Sequence, residues 1–250
     1  MTRFHIAAII TAVLCGVELA GREFLAAGLT LLALAIVVGC GVAIPRLQLF
    51  GPFICRGSIA GKKVALTFDD GPDPASTPQL LELLRAEKVP ATFFCIGRRV
   101  AENPALAGRI VREGHLMANH TFRHSHFTNF FTLARLAAEL GETQAAIREA
   151  TGTLPEYFRP PMGLSNPNIF KAAGRAGLKV IGWSIRSLDT IRSDPRQIVA
   201  GILPGLAPGA IILLHDGRIP AGRLVATVKS LLDELRKLGY EVVRLDELLK

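Results

Sequence analysis

Cysteine is too sparse and too scattered here to hold a metal or staple a fold. The four residues, Cys15, Cys40, Cys55 and Cys95, include no C-x-x-C pair, which excludes a thiolate zinc site and a disulfide framework. A single Cys55–Cys95 bridge is left open. Aromatic residues make up only 6% of the chain, and no Lys/Arg run is interleaved with them. A nucleic-acid partner therefore has no support. No internal repeat is present, and charge is nearly missing from the first fifty residues. There three arginines (Arg3, Arg22, Arg46) face two glutamates (Glu18, Glu23), a net of +1, so +7 of the chain's +8 lies beyond them. A basic body of that kind favours anionic partners or is a solvated surface.

What is present at the N-terminus is apolar length. Phe24 to Pro45 runs for 22 residues without a charge, enough for a helix to span a bilayer core. Phe4 to Ala20 is also apolar but is interrupted by His5 and Glu18. The chain therefore divides into a membrane anchor over 1–50, with one or two transmembrane helices, and a separate body domain over 51–250. A cleaved signal peptide fits less well, because the run is long and lacks a small-x-small site. The alternative is a buried core hairpin. With one span, Arg3 and Arg22 place the N-terminus inside and the body on the extracytoplasmic face. With two spans the arginines barely discriminate.

From Ser58 onward strand and helix patterns alternate. Apolar β-type runs are read at Val64–Phe68, Ala91–Ile96, His115–His120, Tyr157–Arg159, Lys179–Ile185, Ala210–Leu214 and Glu241–Leu245. Helical periodicity covers about Thr77–Glu87, Arg99–Glu113, Leu133–Thr151, Asn168–Ala176, Pro195–Leu203 and Gly222–Leu238. About seven strands alternating with helices predict an α/β fold with parallel strands. The polar residues of interest all follow strands, where such barrels build their sites.

Thr67-Phe68-Asp69-Asp70-Gly71-Pro72 places two carboxylates on a tight turn. Alone, such a turn also serves to cap a helix. His120 and His124 are four residues apart, which on a helical turn puts both imidazoles on one face. With Asp70 they make a two-histidine, one-carboxylate set for a divalent ion, leaving positions open for water and substrate. His215, just after an apolar strand, suits a general acid near neutrality. Arg159 can hold a carboxylate.

Taken in order, these segments resemble the polysaccharide deacetylases of carbohydrate esterase family 4, the NodB-homology domain. The resemblance runs from about Lys62 to the C-terminus and rests on Thr67–Pro72, His120–His124, Arg159–Gly163, Trp183–Asp189 and Leu214-His215. It implies a distorted (β/α)7-type barrel, a divalent metal such as zinc, and removal of N-acetyl groups from amino sugars of a glycan. It makes Asp69 the base, Asp70, His120 and His124 the metal ligands, and His215 the acid. Arg159 would orient Asp69, and Asp189 would tune His215. A backbone N–H after Pro161, at Met162, would face the oxyanion, with Leu214 beside the substrate. Two positions depart from the family pattern. Met162 stands where an aromatic is usual, and Thr190 follows Asp189 where a tryptophan is usual. Trp183, earlier in the same strand, is read as core.

The expected function is thus N-deacetylation of cell-wall peptidoglycan or a chitin-like oligosaccharide. Two alternatives are carried. One is deformylation or deacylation of a lipid-linked amino sugar, and the other is non-catalytic glycan binding.

Overall fold

The computed structural model describes every residue except Ile59. Two long helices come first, α1 (Arg3–Ala20) and α2 (Phe24–Ala43), joined by a turn at Gly21–Glu23. None of α1 is buried, and only Ala27 and Gly41 of α2 are. The buried-hairpin alternative does not hold: both helices are long and apolar enough to cross a membrane, and their side chains face outward.

The body alternates β1 (Lys63–Asp69), α3 (Thr77–Glu87), β2 (Thr92–Cys95), α4 (Gly97–Glu102), α5 (Pro104–Arg112), β3 (Leu116–Asn119) and α6 (Leu133–Thr151). It continues with β4 (Tyr157–Phe158), α7 (Pro167–Arg175), β5 (Lys179–Val180), β6 (Ile185–Arg186), α8 (Pro195–Ile202), β7 (Ala210–His215), α9 (Ala221–Lys237), β8 (Glu241–Val242) and α10 (Leu245–Leu248). All strand pairs are parallel, in the order β5-β4-β3-β2-β1-β7-β6, with β8 also on β1.

The sheet has to curl. Laid flat, seven strands would separate β5 from β6 by about 29 Å. Only residues 181–184 join those two edges, a reach of at most about 18 Å. This is the distorted (β/α)7-type barrel that was expected, left open at one seam. The single strand expected over Lys179–Ile185 is in fact these two short edge strands. Likewise the helix expected over Arg99–Glu113 breaks at Asn103, because Pro104 has no N–H to continue it.

Strand alternation sorts the interior into two layers. Val64, Leu66 and Phe68 of β1, with Ile212 and Leu214 of β7, pack against the surrounding helices. Ala65 and Ile211 point the other way, into the barrel, with Phe94, Ala118, Tyr157 and Ile181. Thr67 and Asp69 share that inward parity. Register then aligns the strand ends: Asp69 lies opposite His215 on one side and Phe94 on the other, and Asn119 lies opposite Phe158. The residues immediately after Asn119 and Phe158, His120 and Arg159, leave the sheet at the same rim.

Candidate active site

The two carboxylates diverge at the end of β1. Asp69 is the last residue of the strand, and Asp70 takes φ +76°, a left-handed conformation that Asp tolerates better than most residues. Strict alternation therefore stops, and both carboxylates reach one cavity of about 230 Å³. Gly71 is needed behind them, since a Cβ there would run into the buried Asp216 carboxylate. Asp216 takes hydrogen bonds from the Ser76 and Thr77 hydroxyls at the start of α3. Burial, outweighing those hydroxyls, raises its pKa to about 6.

His120 and His124 do come together, but not on a helix. Residues 120–124 form a loop in which Thr121 and His124 have positive φ. The loop is held from below: Glu139 of α6, itself buried, accepts the N–H groups of Phe122 and Arg123 at 2.9 and 2.8 Å. A carboxylate bonded to two backbone amides fixes the turn where helical bonds do not. The imidazole centroids are 4.8 Å apart.

Arg159 is fully buried inside the barrel. Its guanidinium donates to Asp69 Oδ1 at 2.6 Å, to Thr67 Oγ1 at 2.9 Å and to the Gly182 carbonyl at 2.7 Å, and it stacks over Phe94. This clamp engages Asp69 Oδ1, and Oδ2 lies 3.8 Å from His120 Nε2. On the opposite wall Asp189 accepts both the backbone N–H and the Nδ1 of His215, each at 2.8 Å. Burial alone would lower the His215 pKa. The Asp189 hydrogen bond and the nearby carboxylates outweigh it, and the pKa is raised.

Two residues expected on the substrate side, Leu214 and Pro161, and one expected in the core, Trp183, need correction. Leu214 faces the helix layer and is fully buried there; its neighbour Leu213 lines the cavity, as the two-residue period requires. Pro161 is buried beneath the rim, while Met162, with φ +57°, and Gly163 reach the cavity. Trp183 is not core. It is half-buried, packs directly over Gly163 and walls the cavity near Thr190. An aromatic wall thus exists although Thr190 supplies none.

Arg218 was missed in the sequence. Its Nε donates to Asp70 Oδ2 at 2.7 Å from the loop after β7. Burial would raise the Asp70 pKa, but His120, His124 and Arg218 together hold it well below the usual carboxylate range. Burial and neighbouring positive charge depress His124 to about 3.

Asp70, His120 and His124 fit a divalent cation. One donor atom from each lies within 4.8 Å of the other two. Asp70 Oδ1, buried and without a hydrogen-bond donor, is 3.6 Å from His120 Nε2 and 3.2 Å from His124 Nε2. Ligands at about 2.0–2.1 Å in a tetrahedral set are about 3.4 Å apart. His120 Nδ1 lies 2.7 Å from the Arg159 carbonyl. That oxygen can only accept, so the proton sits on Nδ1 and the Nε2 lone pair points at Asp70.

Residues 56–181 match the family model described as polysaccharide deacetylase. A chitooligosaccharide deacetylase of Bradyrhizobium sp. (strain ANU 289) is 37% identical over 205 residues, covering 77% of this chain and 93% of the relative. A peptidoglycan-N-acetylglucosamine deacetylase of Bacillus cereus is 39% identical over 191 residues, covering 76% and 89%. Among solved structures, one described as a CE4 family pseudoenzyme from Bacillus anthracis superposes with a TM-score of 0.74 at 29% identity, over 80% of this chain and 69% of the other. The fold therefore does not by itself carry activity, and the side chains at the rim decide the chemistry.

Proposed function

Since the chain belongs to the polysaccharide deacetylase family, we propose that this hydrolase removes N-acetyl groups from amino sugars of a cell-wall or chitin-like glycan. The observation that carries this reading is the grouping of Asp70, His120 and His124 in one cavity with Asp69 and His215. A divalent ion, zinc in our reading, would be held by those three residues and would supply Lewis acidity, lowering the pKa of water from ~15.7 toward ~7 and polarising an acyl oxygen.

The chain's own groups do the rest. Asp69, oriented through Oδ1 by Arg159, presents Oδ2 to take the proton of the attacking water. The amide carbonyl gains that oxygen, and its own oxygen becomes negative against the backbone N–H of Met162. His215 holds a proton on the ring nitrogen that Asp189 leaves free and gives it to the amine as the C–N bond breaks. The products are acetate and a free amino sugar. Trp183, Met162 and Leu213 supply apolar walls for the sugar. In the same reading α1 and α2 anchor residues 1–50 in a membrane, and residues 51–250 work on the extracytoplasmic face, where cell-wall glycan lies.

The test is acetate release by the full-length chain in detergent, with added zinc, from N-acetylglucosamine oligomers and peptidoglycan. Release that stops with a chelator and returns with metal supports the proposal. Glycan binding without any release would make this a binding protein instead.

A further inference from the structure

A second cavity, of about 360 Å³, shares Trp183 and Arg186 with the first. Its far wall runs from Ala43, the last residue of α2, to Arg46. Two arginines face it, Arg46 and Arg186, and no carboxylate does. Neither arginine forms an ion pair among the described residues. Among the described residues the Arg46 guanidinium donates only to the Ser184 carbonyl. Two unpaired guanidinium groups in a concave site, in a chain of net charge +8, favour an anion, and their forked donors suit phosphate.

The placement says where that anion comes from. The cavity adjoins the end of an apolar helix whose side chains face outward, the level at which a membrane-spanning helix meets water. The rim of the first cavity tends the same way. Phe127 and Phe130, 70% and 83% exposed, come just after His126 of that cavity. Their loop is tied through Asn129 to Asn166, and the adjacent Ser165 bonds Val42 and Gly41 of α2. Exposed phenylalanines beside a membrane helix suit insertion at the interface.

We propose that the second cavity is a phosphate subsite, and that the amino sugar turned over in the first is carried through phosphate on a membrane lipid. The inference rests on the deacetylase chemistry of that reading and puts a lipid-borne amino sugar in place of the polymeric glycan. The sugar lies against Trp183, the phosphate lies between Arg186 and Arg46, and the lipid chain leaves toward the bilayer beside α2.

Full-length protein in mixed micelles is given three substrates: a polyprenyl phosphate carrying N-acetylglucosamine, soluble N-acetylglucosamine 1-phosphate, and a neutral N-acetylglucosamine oligomer. Wild type should prefer the lipid-borne substrate in kcat/KM. Arg186→Gln should lower the ratio of phosphate-bearing to neutral turnover by about ten- to a hundredfold, the worth of one or two charged hydrogen bonds. Arg186→Lys should recover part of it, and Arg46→Gln, whose folding is checked by its melting curve, should act in the same direction. An unchanged ratio in Arg186→Gln overturns the subsite. Equal turnover of the soluble sugar phosphate and the lipid-borne one overturns the lipid. Failure of wild type on all three substrates overturns the lipid-borne substrate, and the deacetylase reading falls with it only if peptidoglycan releases no acetate either.

Discussion

The N-terminal helix pair and the rim of the barrel are built inside out with respect to each other. In α1 and α2, leucine, isoleucine and valine face outward: Leu25, Leu32, Ile36 and Val17 are all more than half exposed. At the rim, charge is buried: Arg159 and Asp189 show no surface at all, and Asp69, Asp70 and His120 almost none. Exposed apolar helices are stable where the surroundings are apolar. Buried charges persist where each has a partner. Asp69 has Arg159, Asp70 has Arg218, and Asp189 has His215. One region therefore reports on its solvent and the other on its chemistry.

The largest way to break the contrast is to remove one of the three proposed cation ligands. His120→Ala should reduce bound zinc, measured by equilibrium dialysis, and cut deacetylation roughly a thousandfold or more, since several kcal/mol of charge stabilisation go with the metal. The fold should survive, because Asn119 and Glu139 still hold the loop.

Next is the buried clamp. Arg159→Leu leaves Asp69 buried and unpaired, so the denaturation midpoint should fall by the equivalent of about 3–5 kcal/mol. Retained stability would mean that water replaces the guanidinium.

The helix pair is tested by Leu32→Arg, near the middle of α2. If α2 lies in a bilayer, the change costs about 2.5–3.5 kcal/mol of insertion, read as loss from the membrane fraction in vesicle flotation. An exposed residue in water would cost no more than about 0.5 kcal/mol, with flotation unchanged.

The smallest expected effect is on pH. Asp189 raises the His215 pKa, and in the proposed mechanism the protonated imidazole is the acid. Activity should therefore hold below that pKa and fall as pH rises through it. Asp189→Asn should move the alkaline fall to lower pH and reduce kcat by roughly tenfold. An unmoved limb would assign it to another group.

The sequence made much of this legible because strand ends carry the chemistry. Asp69, Asp70, Arg159, Asp189 and His215 come after apolar runs, and parallel register brings them to one rim. Helices α3 and α6 matched their expected bounds, since a lone periodic pattern with clear ends has few alternatives. Other features depend on non-local geometry. Trp183 reads as core inside a continuous strand over Lys179–Ile185, yet the strand stops at Val180 and restarts at Ile185. Arg218 sits on a loop, where charge has no period to betray it. Glu139 looks like any helix glutamate until the histidine loop lies over it. The positive φ of Asp70, Thr121, His124, Met162 and Leu188 concentrates backbone strain around the cavity, and no residue type there announces it.

The central claim is that Asp69 is the base beside a cation held by Asp70, His120 and His124. It is tested most directly by Asp69→Asn, with acetate release and zinc content measured on the same sample. The account predicts that zinc binding persists while acetate release falls by about 10²–10⁴. Acetate release at the wild-type rate from the zinc-loaded variant would contradict it.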